Sequence, residues 1–323
     1  MTDHSLERDP ALVATAVGNA PLDAGNTSLA YESGLEVEPL SQWTYARRRF
    51  MRHRLAVVSL FVLVTILLAG ALAPWVAPYP FDGYDANNLE VGPTLHGGHV
   101  FGTDLLGRDY FSRVLYGIRT SERVAFLVAI LAVVIGTLIG ALAGYYGKFA
   151  DNILMRFTDL ILTLPALAVL LVAAALIGKG NQYRVAIILS LLLWTALARI
   201  VRGQFLSLRE KEYVDAAKAA GAGDLRIIFR HMLPNSLGPI VVFATLTVGG
   251  AILLEAYLSF LGFGVQPPTP ALGKLIADGQ DVSSSDWWLV TFPGLTIVLI
   301  VLCINFIGDG LRDALDPTQR IRA

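Results

Sequence analysis

The side chains whose types and spacing suit specific polar recognition are concentrated in one segment, from Gln204 to Asn235. Its first part begins with Glu212 and continues with alanines, which have high helix propensity. Gly221 and Gly223 follow, and glycine supplies the backbone conformations that a sharp turn after a helix needs. A stiff helix with small and charged side chains favours docking against another molecule, with transfer of force between the two.

The second part of this segment predicts another short helix. Asp224 has a side chain suited to cap a helix that begins at Leu225. Pro234 is expected to end that helix, because proline lacks the backbone N–H. Flanking charges can fix the register of docking: Glu212, Asp215, Lys218, Arg226 and Arg230. The alternative is a solvated amphipathic loop without a partner.

Sequence motifs for enzymatic chemistry do not occur in the chain. It contains no glycine-rich phosphate loop that ends in Lys-Ser or Lys-Thr, no His-Glu-x-x-His pattern and no nucleophile elbow. His231 stands alone, and His96 and His99 form only a weak pair in a polar loop, so we expect no metal site. Cys303 is the one cysteine, which permits no internal disulfide. We therefore expect a chain that is no enzyme and has no cofactor of its own.

The composition indicates that lipid is the solvent of most of the chain. Of the 323 residues, 54% are hydrophobic and 16% are charged, whereas a soluble domain carries about 25% charged residues. The mean hydropathy is +0.58, and the apolar residues fall in long runs. The net charge of −1 gives no overall attraction to nucleic acid. These features predict an all-α membrane protein that contacts membrane lipid.

Six of the apolar runs are long enough to cross a bilayer as helices. They are residues 55–76, 124–145, 159–177, 185–201, 237–261 and 289–307. Pro165 predicts a kink in the third span. Gly136, Gly140 and Gly144 form a stripe of small residues in the second span, which lets a neighbouring helix approach closely. The sequence therefore predicts a bundle of six transmembrane helices.

Charges near the spans predict the orientation of the chain. A basic cluster from Arg47 to Arg54 precedes the first span, which is typical of a cytoplasmic N-terminus. Six spans place the C-terminus on the same side, with about 18 lysines and arginines inside and about 7 outside. The sequence from Ala71 to Ala73 resembles a signal-peptide cleavage site, but its apolar run is too long and begins only after residue 54. We expect an uncleaved anchor and a cytoplasmic 204–235 loop.

This topology divides the chain into four parts. Residues 1–45 are predicted to be a cytoplasmic tail without stable structure. Residues 46–120 comprise the first span and a long extracytoplasmic loop. Residues 121–310 form a five-helix transporter core that includes the 204–235 loop, and residues 311–323 form a cytoplasmic C-terminal tail.

The 204–235 loop resembles the EAA loop of ABC-importer permeases. The match consists of the core Asp215-Ala216-Ala217, Gly221 after it, and Leu233-Pro234 at the end. Asp215 replaces the usual Glu and His231 the usual Ile, and both departures look like the dipeptide/oligopeptide branch. In that family the loop is the coupling helix, which docks in a cleft of the ATPase subunit. The resemblance assigns this role to Glu212, Asp215, Ala216, Ala217, Ala220, Gly221, Asp224, Arg226, Arg230, His231, Leu233 and Pro234.

Two further segments narrow the resemblance to one kind of permease subunit. The sequence from Phe101 to Asp109, followed by Ser112 to Gly117, is similar to a loop of the C-type subunit of dipeptide/oligopeptide permeases. The sequence from Glu255 to Gly264 is similar to another part of that subunit. The resemblance runs from about residue 45 to the C-terminus and leaves the N-terminal tail outside.

Some charged residues outside the coupling loop have two candidate roles. Glu255 lies inside the fifth span, where a charge is costly and often functional. With Tyr257 it either contacts the path or a neighbouring subunit, or it only fixes packing. Four residues of the outer loop offer either a docking surface or an ion-pair network inside the loop: Asp104, Arg108, Asp109 and Arg113.

The resemblance also implies the fold and the partners. The fold would be the type I ABC-importer permease fold, in the bacterial inner membrane. The chain would pair with a homologous B-type permease and form half of a translocation path for dipeptides or oligopeptides. Two ATP-binding domains, in two chains or one fused chain, would bind ATP and Mg, and an extracytoplasmic binding protein would deliver the peptide. Alternatives are an importer of nickel or another small solute, and a self-sufficient secondary transporter.

Overall fold

The computed structural model describes residues 42–94, 98–178 and 180–315. Residues 1–41 of the predicted N-terminal tail, His96 and residues 316–323 lie outside the described part. Within it the chain is helical, and isolated β-bridges join Thr103 to Asp109 and Gly180 to Val265. The all-α prediction is confirmed.

The α-helices are numbered here in chain order. They are α1 (Gln42–Arg52), α2 (Arg54–Ala71), α3 (Ala73–Val76), α4 (Tyr110–Tyr146), α5 (Lys148–Thr163), α6 (Ala166–Ile177), α7 (Gln182–Arg209), α8 (Glu212–Ala219), α9 (Asp224–Arg226), α10 (Leu233–Phe260), α11 (Leu272–Gly279) and α12 (Trp288–Leu315). A π-helix, Ile227–Met232, joins α9 to α10, and a 3₁₀-helix, Gln280–Val282, follows α11.

Five helical units of the described part are long and apolar enough to cross a membrane: α2, α4, α7, the continuous unit from α9 to α10, and α12. The helices α5 and α6 meet this criterion only as a pair, which is bent by 91°. The predicted count of six spans therefore corresponds to five unbroken helical units and one broken one.

The second span begins much earlier than predicted. Helix α4 starts at Tyr110, where Asp109 caps it by accepting a hydrogen bond from the Ser112 N–H at 2.8 Å. The helix has 37 residues, about 55 Å at 1.5 Å per residue, whereas the hydrocarbon core of a bilayer is about 30 Å thick. The first turns of α4 contain Ser112, Arg113 and Arg119, and these polar residues are the reason that the sequence predicts a loop there.

The third predicted span is two helices at a large angle rather than one kinked helix. Leu164, the residue before Pro165, has φ −78° and ψ 141°, which is extended backbone. Proline disfavours the helical conformation of the residue that precedes it. The position of the break was therefore predictable, but the predicted kink is a full break between two helices that are bent by 91°.

The glycine stripe of α4 packs directly on α7. A Cβ atom at Gly136 would lie 2.7 Å from the Trp194 carbonyl oxygen, and one at Gly144 would lie 2.8 Å from that of Arg202. Neither distance leaves room for a side chain. The predicted close approach of two helices at this stripe is confirmed.

The two ends of α4 lie at opposite ends of the bundle, called here the Tyr110 end and the Tyr145 end. At the Tyr110 end, the Tyr110 hydroxyl donates to the Leu289 carbonyl at 2.6 Å and to the Leu275 carbonyl at 3.2 Å. The buried Trp288 donates from Nε1 to the Thr103 carbonyl at 3.1 Å. Helix α4 is thereby fixed to α11 and α12, and the 77–109 loop is fixed to α12.

The Tyr145 end carries the loop between α7 and α10. The described chain termini also lie there. A Cβ atom at Gly238, near the start of α10, would lie 3.7 Å from Leu315 of α12, and one at Gly310 would contact Phe50 of α1. The first and last described residues are therefore on the same side of the bundle.

Candidate functional site

The loop between α7 and α10 has the predicted helix–turn–helix form, and its first helix is α8. Glu212 and Asp215 lie in the first turn and Lys218 in the last turn, an arrangement that complements the helix dipole. Lys218 Nζ lies 3.0 Å from Asp215 Oδ1 in an exposed ion pair, which contributes little to stability. The charges on α8 therefore remain available for contacts with another molecule.

The buried side chain of Val214 anchors α8 to the bundle. Val214 is fully buried and belongs to a cluster of apolar side chains at the Tyr145 end. We call this the Tyr145 cluster; its buried members are Ala141, Tyr145, Leu197, Val201, Phe205, Val214, Ile227, Ile228, Met232 and Ile240. Burying a valine side chain contributes about 1.5–3 kcal/mol. The opposite face of α8 carries the exposed residues Asp215, Ala216 and Ala219, and Ala220 directly after the helix is exposed as well.

The turn after α8 is a Schellman motif. Gly221 has φ +79°, a left-handed conformation that favours glycine. The Gly221 N–H donates to the Lys218 carbonyl at 2.9 Å, and the Ala222 N–H donates to the Ala217 carbonyl at 3.0 Å. These bonds satisfy carbonyl groups at the end of α8 and reverse the chain within a few residues, as predicted for Gly221.

Asp224 is not the predicted cap of the second helix. Gly223 is the N-cap residue, with φ −69° and ψ 156°, and Asp224 is the first residue of α9. The Asp224 carboxylate instead accepts a hydrogen bond from the hydroxyl of Tyr145, at 2.8 Å from Oδ1. The Asp224 carboxylate therefore bonds to a side chain of α4 and not to a backbone N–H of its own helix, as an N-cap residue would.

Pro234 does not end the second helix, and that prediction was also wrong. The π-helix before it shifts the hydrogen-bond pattern, so that the Leu233 N–H donates to the Ile228 carbonyl. Pro234 then occupies the first turn of α10, where a missing N–H is tolerated. The second helix of the loop thus continues without interruption into the span α10.

The loop exposes three large apolar or aromatic side chains that the sequence reasoning missed. Leu225 is 68% exposed, Phe229 54% and Tyr213 40%. Partial burial raises the pKa of the Tyr213 hydroxyl, which stays neutral at physiological pH. The spacing of Leu225 and Phe229, opposite the buried Ile227 and Ile228, was a signal for a second apolar face. An apolar surface of this kind is typical of a protein interface.

Most of the predicted coupling residues lie on this exposed surface: Glu212, Asp215, Ala216, Ala220, Gly221, Asp224, Arg226, Arg230 and Pro234. Ala217, His231 and Leu233 are half-buried. The His231 carbonyl accepts a hydrogen bond from Asn235 Nδ2 at 2.6 Å. The structure therefore brings the predicted residues together at one end of the bundle.

The charged residues of the outer loop form internal structure. Asp104 accepts from Arg108 Nε at 2.7 Å, and Arg113 Nη1 lies 3.7 Å from the same carboxylate. Asp109 pairs with His99 at 2.9 Å and caps α4. Asp104, Asp109 and Arg113 are buried. Of the two candidate roles, their side chains therefore fit the ion-pair network inside the loop and not a docking surface. Arg108 is the member with appreciable exposure, at 19% of its side chain.

Glu255 is also buried within the chain. Its carboxylate accepts hydrogen bonds from Ser121 Oγ at 2.7 Å and from Ser259 Oγ at 2.6 Å. With no exposed surface, it does not contact a path or a neighbouring subunit in this structure, which corrects that candidate role. Tyr257, on the same helix, is 55% exposed.

The described residues contain no group of three or more His, Cys, Asp and Glu side chains placed to hold a metal ion. His99 faces Asp109 and the ring of Tyr79, whose centroid lies 4.9 Å away. Cys303 is buried.

Comparison with known proteins gives matches over most of the chain. Residues 136–321, more than half of the chain, match the model of a family described as "Binding-protein-dependent transport system inner membrane component". Residues 41–93 match "N-terminal TM domain of oligopeptide transport permease C".

Two curated relatives and one solved structure illustrate the similarity. The chain is 42% identical to the oligopeptide transport system permease protein OppC of Haemophilus influenzae, over 88% of this chain and 92% of that one. It is 41% identical to the dipeptide transport system permease protein DppC of Alkalihalophilus pseudofirmus, over 87% and 91%. A chain of the MetNI methionine ABC transporter, in an inward-facing conformation, has a TM-score of 0.51 and 20% identity, covering 63% of this chain and 96% of that one.

Proposed function

The chain belongs to the family of binding-protein-dependent transport system inner membrane components, and from this we propose that it is a permease subunit of an ATP-driven importer for dipeptides and oligopeptides. It is a multi-pass membrane protein and is not itself catalytic, because permease subunits of ABC transporters leave ATP hydrolysis to partner chains. Relatives named for oligopeptide and dipeptide transport support the cargo class.

The observation that carries the proposal is the form of the loop at the Tyr145 end. Val214 holds α8 on the bundle while the opposite face of α8 stays exposed. Leu225 and Phe229 extend this open surface onto the second helix, which continues into α10. A surface that is rigidly attached to a span and uncovered within the chain suits the docking of an ATPase subunit.

The loop residues have distinct proposed roles in that docking. The small side chains of Ala216, Ala217 and Ala220 allow close seating in a cleft, and Gly221 sets the angle between the two helices. Charges then fix the register, namely those of Glu212, Asp215, Lys218, Arg226 and Arg230. We place His231, Leu233 and Pro234 at the base of the loop.

The proposed orientation puts the Tyr145 end in the cytoplasm of a bacterial cell, with the chain in the inner membrane. The basic cluster from Arg47 to Arg54 lies in α1 and at the start of α2, at this end of the bundle. The 1–45 and 311–323 segments would then be cytoplasmic, the 46–120 segment would span and reach outside, and the 121–310 segment would be the transporter core.

The proposed assembly has three kinds of protein partner. A homologous B-type permease would complete the translocation path, and two ATP-binding domains would dock at the Tyr145 end and bind ATP and Mg. An extracytoplasmic binding protein would deliver the peptide at the Tyr110 end. Closure of the ATP-binding domains would draw the two coupling loops together and open the path outward, and hydrolysis would reset it.

Reconstitution tests this proposal directly. The chain is co-purified with its partner permease, ATPase and binding protein and placed in proteoliposomes, and uptake of a radiolabelled casein digest is measured with and without ATP. Vesicles with this chain alone are the control. We expect uptake only from the complete complex with ATP.

Two other outcomes would replace the proposal. Uptake of radioactive nickel by the complete complex, without uptake of peptides, would identify a metal-ion importer. Peptide uptake by the chain alone, without ATP, would identify a self-sufficient secondary transporter.

A further inference from the structure

The hydroxyl of Tyr145 is the side-chain group of α4 that reaches the coupling loop through a hydrogen bond in the described residues, to Asp224 at 2.8 Å. Tyr145 lies in the last turn of α4 and is 9% exposed. Asp224 begins the helix that continues through the π-helix into α10. The bond therefore joins the end of α4 to the start of the helical unit that runs from α9 to α10.

The ring of Tyr145 is held in place by the Tyr145 cluster, which also contains Val214 of α8 and Ile227 of the π-helix. Its backbone is held as well, because Arg209 Nη1, at the end of α7, donates to the Tyr145 carbonyl at 3.4 Å. With ring and backbone held in this way, the position of the hydroxyl oxygen relative to Asp224 is fixed. A hydrogen bond to a carboxylate is stronger than one between neutral groups.

Both helices of the loop pack on the bundle through the Tyr145 cluster, and the second helix has a directional bond in addition. Val214 fastens α8 through apolar contact, which tolerates sliding because it has no preferred direction. The Tyr145 hydroxyl fastens Asp224 through a directional bond, which loses strength when the angle changes. The directional contact is the one that specifies where the loop stands relative to α4.

Helix α4 is well placed to carry a displacement to the other end of the bundle. Its glycine stripe packs without a gap on α7. At the far end, its Tyr110 hydroxyl bonds to the carbonyl groups of Leu275 and Leu289. A rotation or shift that is imposed on the loop at Asp224 would therefore move a helix that contacts α11 and α12 at the opposite end.

We propose that Tyr145 is a positioning residue for coupling, whose hydroxyl fixes the loop to α4 so that movement of a docked ATPase moves this helix. This inference rests on the proposed function. It assigns a role in energy coupling to a residue outside the coupling loop itself.

The test compares Tyr145→Phe with Tyr146→Phe in the reconstituted complex. Tyr145→Phe removes only the hydroxyl and keeps the ring in its cluster. Tyr146 is the next residue and is 48% exposed, so Tyr146→Phe is a matched control. The readout is the amount of radiolabelled casein peptide imported per ATP hydrolysed, which does not depend on how much complex is present. We expect Tyr145→Phe to lower this ratio about threefold or more and Tyr146→Phe to leave it unchanged.

Substitutions at Asp224 examine the same bond from its other side and leave the Tyr145 cluster intact. Asp224→Asn keeps an oxygen that can accept from Tyr145 and should retain most of the coupling, whereas Asp224→Ala should lower the ratio as Tyr145→Phe does. Adding Asp224→Ala to Tyr145→Phe should give no further loss, because both remove one interaction. If Tyr145→Phe fails to assemble, the comparison of Asp224→Asn with Asp224→Ala decides the question.

An unchanged ratio in Tyr145→Phe, or full additivity of the two losses, would overturn the inference. Peptide uptake by the unaltered complex, measured in the same experiment, separates this result from a failure of the proposed function. If the unaltered complex imports peptide with ATP and Tyr145→Phe does so equally well, only the role of Tyr145 is wrong.

Discussion

The hydroxyl of Tyr145 lies 2.8 Å from Oδ1 of Asp224, a residue 79 positions later in the chain. This contact sets the second helix of the coupling loop against the end of α4. The other end of the same helix is held by a second tyrosine, Tyr110, through carbonyl groups of α11 and α12. Helix α4, with its 37 residues, is thus bonded to the coupling loop at one end of the bundle and to α11 and α12 at the other end.

The turn after α8 requires glycine much more strongly at position 221 than at position 223. Both glycines have open space where a Cβ atom would lie, but Gly221 has φ +79° and Gly223 has φ −69°. Gly221→Ser is expected to cost about 1–2 kcal/mol in the turn and to lower peptide-stimulated ATP hydrolysis several-fold. Gly223→Ser places a favoured N-cap residue and should leave it unchanged. Gly221→Asn should be intermediate, since asparagine tolerates this conformation; equal effects of the two serine substitutions would contradict the assigned turn.

The contact between α4 and α7 depends on the absence of side chains at the glycine stripe. A Cβ atom at Gly140 would lie 2.8 Å from Val201 Cβ, so Gly140→Ala is expected to destabilise the chain by about 1–3 kcal/mol. Gly203→Ala, on α7 with open space around it, should be neutral or stabilise by up to about 1 kcal/mol. Thermal denaturation of the purified protein in detergent measures both. A stable Gly140→Ala variant would show that the helices are farther apart than the structure has them.

The ion pair between Asp151 of α5 and Arg202 of α7 is expected to hold the broken third span in place. Arg202 donates from Nε and Nη2 to the two carboxylate oxygens, with Nη2 at 2.6 Å from Oδ2. The pair is partly exposed, so Arg202→Asp alone should cost about 1–2 kcal/mol and reduce uptake. Combining it with Asp151→Arg restores opposite charges and should recover much of both. No recovery of stability or uptake in the double variant would mean that the pair does not act through its charges.

The burial of Glu255 predicts that its shape and hydrogen bonds matter more than its charge. Glu255→Gln keeps both, since the amide can accept from Ser121 and donate to Ser259, and uptake should stay within about twofold. Glu255→Leu leaves two buried hydroxyls without this partner and should destabilise the chain by about 1–3 kcal/mol. Folded yield and uptake are measured for both variants. Equal loss of uptake in both, with normal yield, would indicate that the charge itself takes part in transport.

The features that were predictable from the sequence are those decided by neighbouring residues. The turn at Gly221 follows from glycine and the alanine helix before it, and the break near Pro165 follows from the steric effect of proline on Leu164. The close approach at the glycine stripe likewise follows from a repeat within one helix. Local rules apply wherever no distant group competes.

The features that were missed are those decided by distant residues. Asp224 had the type of a cap, but the Tyr145 hydroxyl reached it from another helix. Glu255 is a charged residue within a span, as a path residue would be, but in the interior its carboxylate accepts a hydrogen bond from Ser121, 134 positions away. No spacing within the sequence encodes these contacts.

The most direct test of the account is cross-linking between the coupling loop and the ATPase subunit. Benzoylphenylalanine replaces Phe229 or Tyr213, whose aromatic side chains are exposed on the loop, and for comparison Tyr84, which is 70% exposed on the outer loop. The complex is irradiated in membranes, and the adducts are identified by mass. The account predicts adducts with the ATPase subunit from positions 229 and 213 and none from position 84. Adducts with the ATPase from position 84, or none from either loop position in a complex that imports peptide, would contradict it.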